Sequence, residues 1–171
     1  MKSPPEPDRT PRPDADAEPR VDGSRVIRAA DFRWQGVTLR EYKDPAPHYR
    51  DVTRQTLLGD ADADPALGVQ LRYFEVAPGG HSTLERHAHP HAVVVLRGRG
   101  EVLLDARAEP VREGDCVYIG PHTWHQFLAA ADAPLGFLCV VDRQRDRPVL
   151  PTAQDLAALR AIPALRDKLR A

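Results

Sequence analysis

Glycine and proline divide the middle of this chain into short segments that are rich in β-branched and aromatic residues. The dividing residues form turn-like groups at 78–80, 97–100, 113–115 and 120–121. Between these groups the apolar residues do not recur with the spacing of a helix. Many short strands with frequent turns are typical of a sandwich or a closed barrel, so we expect an all-β fold. The predicted strands are Val37–Tyr42, Val52–Leu58, Val69–Val76, Ser82–His87, His91–Leu96, Glu101–Leu104, Ala108–Arg112, Cys116–Ile119, Trp124–Ala129 and Leu135–Val141.

The two ends of the chain have a different character. Residues 1–24 contain six prolines and ten charged residues, and so few apolar side chains cannot offset the entropy of ordering, which predicts a disordered N-terminal arm. Residues 25–148 form the predicted barrel domain, and residues 149–171 a helical tail. In that tail Thr152 is the expected N-cap, with Asp155 in the first turn. The apolar stripe, which Pro163 interrupts, continues to the C-terminus on Leu156, Leu159, Ile162, Leu165 and Leu169.

The composition narrows the class of protein. The chain has 171 residues, of which 42% are hydrophobic, and this suits a single domain with a buried core. Its 24 Lys and Arg nearly balance 25 Asp and Glu, which predicts no general affinity for nucleic acid or membranes. The first 20 residues hold no apolar run of signal-peptide length, so we expect a cytoplasmic protein. Cys116 and Cys139 lie in apolar segments and are expected to be buried free thiols.

Histidines are concentrated in one part of the sequence. Five of the seven lie at positions 81, 87, 89, 91 and 125, and the first four of these fall within eleven residues. Imidazole is the commonest metal ligand in proteins, and a β-strand presents alternate residues on one face. The pairs Glu85 with His87, His87 with His89, and His89 with His91 all have that spacing. The alternative explanation for these histidines is an exposed basic turn that binds no metal.

The separation of His87 and His91 favours one of these pairs. In a straight strand the two residues would lie about 13 Å apart, too far to share one ion comfortably. The chain must therefore turn between them, and a proline there, which cannot donate to a central ladder, fits a turn. Pairing Glu85 with His87 leaves Ala88–Pro90 for the reversal, whereas pairing His87 with His89 leaves only the proline. The predicted metal ligands are Glu85, His87, His91 and His125.

Residues beside the predicted ligands have expected roles of their own. His89 would lie in the turn as a pocket residue and a candidate catalytic general base, because a free imidazole titrates near pH 6.5. His81 is expected to be a polar residue at the start of a strand. Tyr118 and Trp124 are expected to pack in the core rather than line the pocket, and Arg86 to form an external salt bridge.

The spacing of these residues resembles the two sequence motifs of the cupin superfamily. In the first motif the positions of a glycine, two histidines, a glutamate and a second glycine correspond here to Gly79, Glu85, His87, His91 and Gly98, with every spacing retained. Glutamate and histidine have exchanged positions, as in small cupins with a histidine in the glutamate slot. The second motif corresponds to residues 114–129, where His125 stands at the histidine position although the proline, glycine and asparagine identities differ.

The resemblance implies a jelly-roll barrel, the cupin double-stranded β-helix, that holds one divalent transition metal ion and is often a homodimer. A carboxylate with three imidazoles suits iron, manganese, nickel, copper or zinc. The resemblance also implies a small-molecule substrate and metal-dependent chemistry of the dioxygenase, isomerase or lyase type. The alternative is a non-catalytic protein that binds a metal and a small molecule as a sensor or store.

Overall fold

The computed structural model describes residues 23–42 and 48–170, so the predicted N-terminal arm lies almost entirely outside the described residues. The fold is a β-barrel with one short helix, as the sequence predicted. The elements are β1 (Ala29–Ala30), β2 (Arg33–Trp34), β3 (Arg40–Glu41), β4 (Arg50–Leu58), β5 (Val69–His81), β6 (His91–Leu104), β7 (Arg107–Arg112), β8 (Cys116–Ile119), β9 (His125–Ala129), β10 (Leu135–Asp142) and α1 (Ala153–Arg160). Within the described residues, no helix is long and apolar enough to cross a membrane.

Four strands close into a ring. β5 pairs with β10 along the whole of Leu135–Asp142, and β10 pairs in turn with β6. β6 also pairs with β9, and β9 returns to β5 through the pair His81 and Leu128. Because each of these strands has a partner on both sides, the ring leaves few backbone groups unpaired. β4 and then β3 extend the sheet from β5, while β7 and β8 pair with β6.

Two of the predicted turns are instead bends within long strands. β6 passes through residues 97–100 without reversing, and β5 passes through residues 78–80. Gly98 and Gly79 have φ angles of 68° and 72°, which glycine adopts without strain. In β6 the bend divides the strand between two sets of neighbours, with β8 and β10 on the first half and β7 and β9 on the second. A glycine that predicted a chain reversal therefore marks a strand shared by two parts of the barrel.

The predicted strand Ser82–His87 is wrong. Only Glu85 and Arg86 in this segment make bridges, and both bridges are isolated. The Ser82 hydroxyl accepts a hydrogen bond from the Phe127 amide at 2.9 Å, so a side chain takes the place of a ladder partner. The segment consequently runs as an irregular stretch anchored to β9.

Two further predictions are corrected in the core. Cys139 is buried on β10 as expected, but Cys116 is exposed on the outer side of β8. Its register partner Val94 on β6 is also exposed, so this part of the sheet has one face open to solvent. The predicted strand Val37–Tyr42 is reduced to the two residues of β3.

The C-terminal tail packs a second, smaller apolar cluster against the barrel. Helix α1 begins as predicted, since Thr152 is its N-cap and forms a capping box with Asp155. The helix ends at Arg160 rather than continuing to the C-terminus, because a proline at position 163 would clash with the carbonyl one turn earlier. The turns that follow still bring Leu165 and Leu169 onto the cluster.

Candidate metal centre

Three histidines that are separated in sequence meet at one end of the barrel. His91 is the first residue of β6, His125 is the first of β9, and His87 lies in the irregular stretch between β5 and β6. One nitrogen from each ring lies within 4.8 Å of the others, and the side chains are buried. The chain bends at Ala88 and His89, as the spacing predicted. This bend turns His87 back toward His91, so that their ring centroids lie 4.5 Å apart.

Hydrogen bonds to the backbone fix the tautomer of two of these rings. Nδ1 of His87 lies 2.7 Å from the carbonyl oxygen of His89, and Nδ1 of His125 lies 3.0 Å from that of Thr123. A carbonyl oxygen only accepts, so each Nδ1 carries the proton and each Nε2 keeps its lone pair. The Nε2 atoms of His87 and His91 are buried without a hydrogen-bond partner. A metal ion would satisfy both of these atoms.

The surroundings also keep the rings of His87 and His91 neutral. Burial lowers the pKa of His87 to about 4, and the charge of His125 makes the next largest contribution. Burial, and then the charges of His125 and His87, lowers the pKa of His91 further still. Metal ions bind the neutral imidazole, so at neutral pH no proton has to be displaced from either ring. The three histidines could therefore hold one divalent transition metal ion.

Glu85, the fourth predicted ligand, lines the same cavity and is 5% exposed. Its carboxylate accepts a hydrogen bond from the Tyr42 hydroxyl at 3.3 Å, and its backbone bridges to His125. Burial raises the pKa of Tyr42 well above its usual value, which keeps the phenol a donor. Glu85 lies outside the compact group of three imidazoles, and its role as a metal ligand stays a prediction.

His89 lies beside the three imidazoles, with its ring stacked on that of His87 at a centroid distance of 3.7 Å. Its Nδ1 lies 2.6 Å from the carboxylate of Asp146, which also accepts the backbone N–H groups of Ala88 at 2.8 Å and His89 at 3.1 Å. These bonds hold the bend. They also lower the pKa of the Asp146 carboxyl, and the bond from the Ala88 N–H makes the largest contribution. Asp146 was missed from the sequence, because it lies in the loop after β10, 57 residues from the bend it supports.

The other residues singled out in the sequence lie away from the three imidazoles. Trp124 packs in the smaller apolar cluster, as expected. The Arg86 guanidinium lies 4.4 Å from the Trp124 ring centroid, a cation–π contact where an external salt bridge was predicted. Tyr118 is 70% exposed, so the expectation that it packs in the core was wrong. His81 ends β5 rather than starting a strand.

The three imidazoles line a cavity of about 210 Å³. Sites for drug-sized ligands span roughly 300–1,000 Å³, so this cavity suits a smaller molecule. The apolar part of the cavity wall includes Val52, Phe74, Phe127 and Phe137. The cavity is also lined by three arginines, Arg54, Arg72 and Arg145. The sequence did carry a signal for two of these arginines, because positions 54 and 72 share strand faces with the apolar positions 52 and 74.

The closed barrel and the histidines at its end define a cupin. A family model described as a Cupin domain matches residues 72–141, and the chain belongs to this family of small cupin proteins. The chain is 52% identical over 132 residues to 1-methylthio-D-xylulose 5-phosphate methylsulfurylase of Rhodospirillum rubrum. The matched residues make up 76% of this chain and 81% of that protein.

Solved structures give the same result. The chain is 49% identical to a cupin 2 conserved barrel domain protein from Rhodopseudomonas palustris, covering 86% of this chain and 100% of that one with a TM-score of 0.79. It is also 49% identical to a cupin 2 domain-containing protein from Halorhodospira halophila, covering 86% and 96% of the two chains with a TM-score of 0.68.

Proposed function

We propose that this protein is a metal-dependent enzyme that transfers the methylthio group of a 1-methylthio-2-ketopentose 5-phosphate to a thiol. The observation that carries the proposal is the group of three buried imidazoles that faces a small cavity. The substrate and the transferred group are taken from the name of the Rhodospirillum rubrum relative, which is 52% identical over most of both chains, whereas the thiol acceptor is part of our proposal. The proposed reaction is a group transfer, and so it belongs to a different class of reaction from the dioxygenase, isomerase or lyase chemistry expected from the sequence.

Such a substrate suits a site of this kind. Its C1 lies next to the C2 ketone, so the electron pair of the breaking C1–S bond can be taken up as an enolate. The thiol sulfur bonds to the methylthio sulfur to give a methyl disulfide, and C1 gains the proton to become a methyl ketone. Carbon is thereby reduced and sulfur is oxidised. A divalent ion held by the three histidines would supply Lewis acidity toward the ketone oxygen.

His89 is the residue that we propose moves the proton. Its side chain lines the cavity and is 8% exposed, and its Nδ1 is bound to the Asp146 carboxylate. That carboxylate accepts a hydrogen bond from Nδ1 and orients the ring, so that Nε2 is the nitrogen that can take a proton and return it. The apolar side chains of the cavity would limit the access of water to the enolate, and Glu85 remains the proposed fourth metal ligand.

The test is to load the purified protein separately with iron, manganese, nickel, copper and zinc, and to supply 1-methylthio-D-xylulose 5-phosphate and a thiol. Proton NMR should show the S-methyl signal of the substrate decline as a methyl-ketone signal grows, and mass spectrometry should detect the methyl disulfide. The His91→Ala variant should give neither product. If metal and substrate bind but no methyl ketone forms with any of the metals, the non-catalytic binding alternative is favoured.

A further inference from the structure

Three arginines line the same cavity as the histidines, and strand register places two of them together. Arg54 on β4 lies opposite Phe74 on β5, and Arg72 lies two residues from Phe74 on the same face. The two arginines are therefore diagonal neighbours on the inner side of the sheet. Arg145 reaches the cavity from the loop after β10.

These three arginines lack the carboxylate partners that several other arginines have. Arg25, Arg97 and Arg99 each form an ion pair with a carboxylate. Across residues 23–42 and 48–170, no carboxylate oxygen lies within ion-pairing distance of the Arg54, Arg72 or Arg145 guanidinium groups. The Nε atoms of Arg54 and Arg72 are buried without a hydrogen-bond partner.

Arg72 is the most constrained of the three. It is only 8% exposed, and its Nη2 makes a long contact of 3.6 Å with the Cys139 sulfur. Its guanidinium carbon lies 5.1 Å from the Phe74 ring centroid. A buried cation with such weak partners is expensive to keep, because its lost hydration is not replaced.

The charges also act on one another. Burial, and then the charge of Arg72, lowers the pKa of both Arg54 and Arg145. The Glu85 and Asp146 carboxylates also line the cavity, but neither lies within ion-pairing distance of these guanidinium groups. An anion between the guanidinium groups would replace their repulsion by attraction, and it would satisfy the Nε–H groups of Arg54 and Arg72.

We propose that Arg54, Arg72 and Arg145 form the subsite that binds the phosphate group of the substrate. The guanidinium fork matches phosphate oxygens in pairs, and a phosphate monoester carries up to two negative charges against three positive ones. Because the arginines and the histidines share one small cavity, a phosphate held here leaves the rest of the molecule at the imidazoles. The identification of the anion as a phosphate ester rests on the proposed function, whereas the positive subsite rests on the structure.

The test compares D-xylulose 5-phosphate with D-xylulose by titration calorimetry on the metal-loaded protein. The wild type should bind the phosphate ester at least about 100-fold more tightly than the free sugar. Arg72→Gln and Arg54→Gln should each weaken binding of the ester by about 10- to 100-fold, in line with the loss of a hydrogen bond to a charged group, and leave binding of the free sugar unchanged. Arg99→Gln, which removes an exposed arginine paired with Asp132, is the matched control and should bind like the wild type.

Circular dichroism and metal content establish that each variant is folded and loaded. If Arg72→Gln does not fold, Arg145→Gln carries the test, because Arg145 is exposed on a loop and its loss leaves the core intact. Equal wild-type affinities for ester and sugar, or unchanged ester affinity in the arginine variants, would overturn the subsite. Tight ester binding that depends on the arginines, without turnover of the methylthio substrate, would leave the subsite standing and remove the proposed reaction.

Discussion

Acidification of the metal-free protein should destabilise it between pH 6.5 and pH 4, because His87 is buried in its neutral form. The ordinary pKa of histidine, 6.5, applies to the unfolded chain, whereas burial lowers the pKa of His87 in the folded protein to about 4. Below pH 6.5 the unfolded chain therefore takes up a proton that the folded protein does not. The stability that the neutral ring contributes is complete above pH 6.5 and is lost as the pH falls toward 4.

The size of the effect follows from the two pKa values. Between pH 7 and pH 5 the difference corresponds to a loss of at most about 2 kcal/mol for His87 alone. The side chain is 2% exposed but faces a cavity that opens to solvent, so we expect about 1–2 kcal/mol. His91, whose pKa is also lowered by burial, acts in the same direction.

Urea unfolding of the metal-free protein at pH 7 and pH 5 measures this loss. The His87→Gln variant removes the titrating ring, so its free energy of unfolding should fall by about 1–2 kcal/mol less over the same interval. The same fall in the wild type and the variant would refute the buried neutral state of His87.

Three further perturbations test other parts of the structure. Asp146→Ala removes the acceptor that holds the bend at Ala88 and His89, and should weaken metal affinity by about 10- to 100-fold in a chelator competition, whereas Asp132→Ala should leave it unchanged. Gly98→Ala should destabilise the protein by about 3 kcal/mol in urea, because its φ is positive and a Cβ would overlap the Pro134 carbonyl. Gly114→Ala, with a positive φ but open space around it, should cost only about 1–2 kcal/mol; equal losses would contradict the overlap. His91→Ala and His125→Ala should lose bound metal by elemental analysis while His89→Ala retains it, and loss of metal in the His89 variant would contradict its position beside the centre.

The sequence predicted the strands well where β-branched and apolar residues are dense, since Leu135–Val141 and Val52–Leu58 match β10 and β4 closely. In β10 the buried residues alternate along the strand, whereas β4 buries Val52 on one face and Gln55 and Leu57 on the other. The prediction from sequence failed at Gly98, since a glycine with positive φ permits either a reversal or a bend. Which of the two forms depends on pairing with β7, β8, β9 and β10, and pairing between distant strands is not written in the local sequence.

The metal centre was likewise predicted only in part from the sequence. The bend between His87 and His91 was predicted from the length of a straight strand and from the proline between them, and the structure brings these two rings together with that of His125. Asp146 and Arg145 could not be found by that route, because both reach the site from a loop and neither lies on a strand whose alternation would indicate its direction. Arg72 could have been found, since an arginine on the inward face of a buried strand is unusual.

Anomalous diffraction from crystals of the zinc-loaded protein would test the metal centre most directly. We predict one peak bonded to Nε2 of His87, His91 and His125 at about 2.1 Å, and the presence or absence of Glu85 in the coordination shell decides the fourth ligand. An ion bound elsewhere, or three imidazoles that remain uncoordinated in crystals containing stoichiometric zinc, would contradict the assignment of these histidines as a metal site.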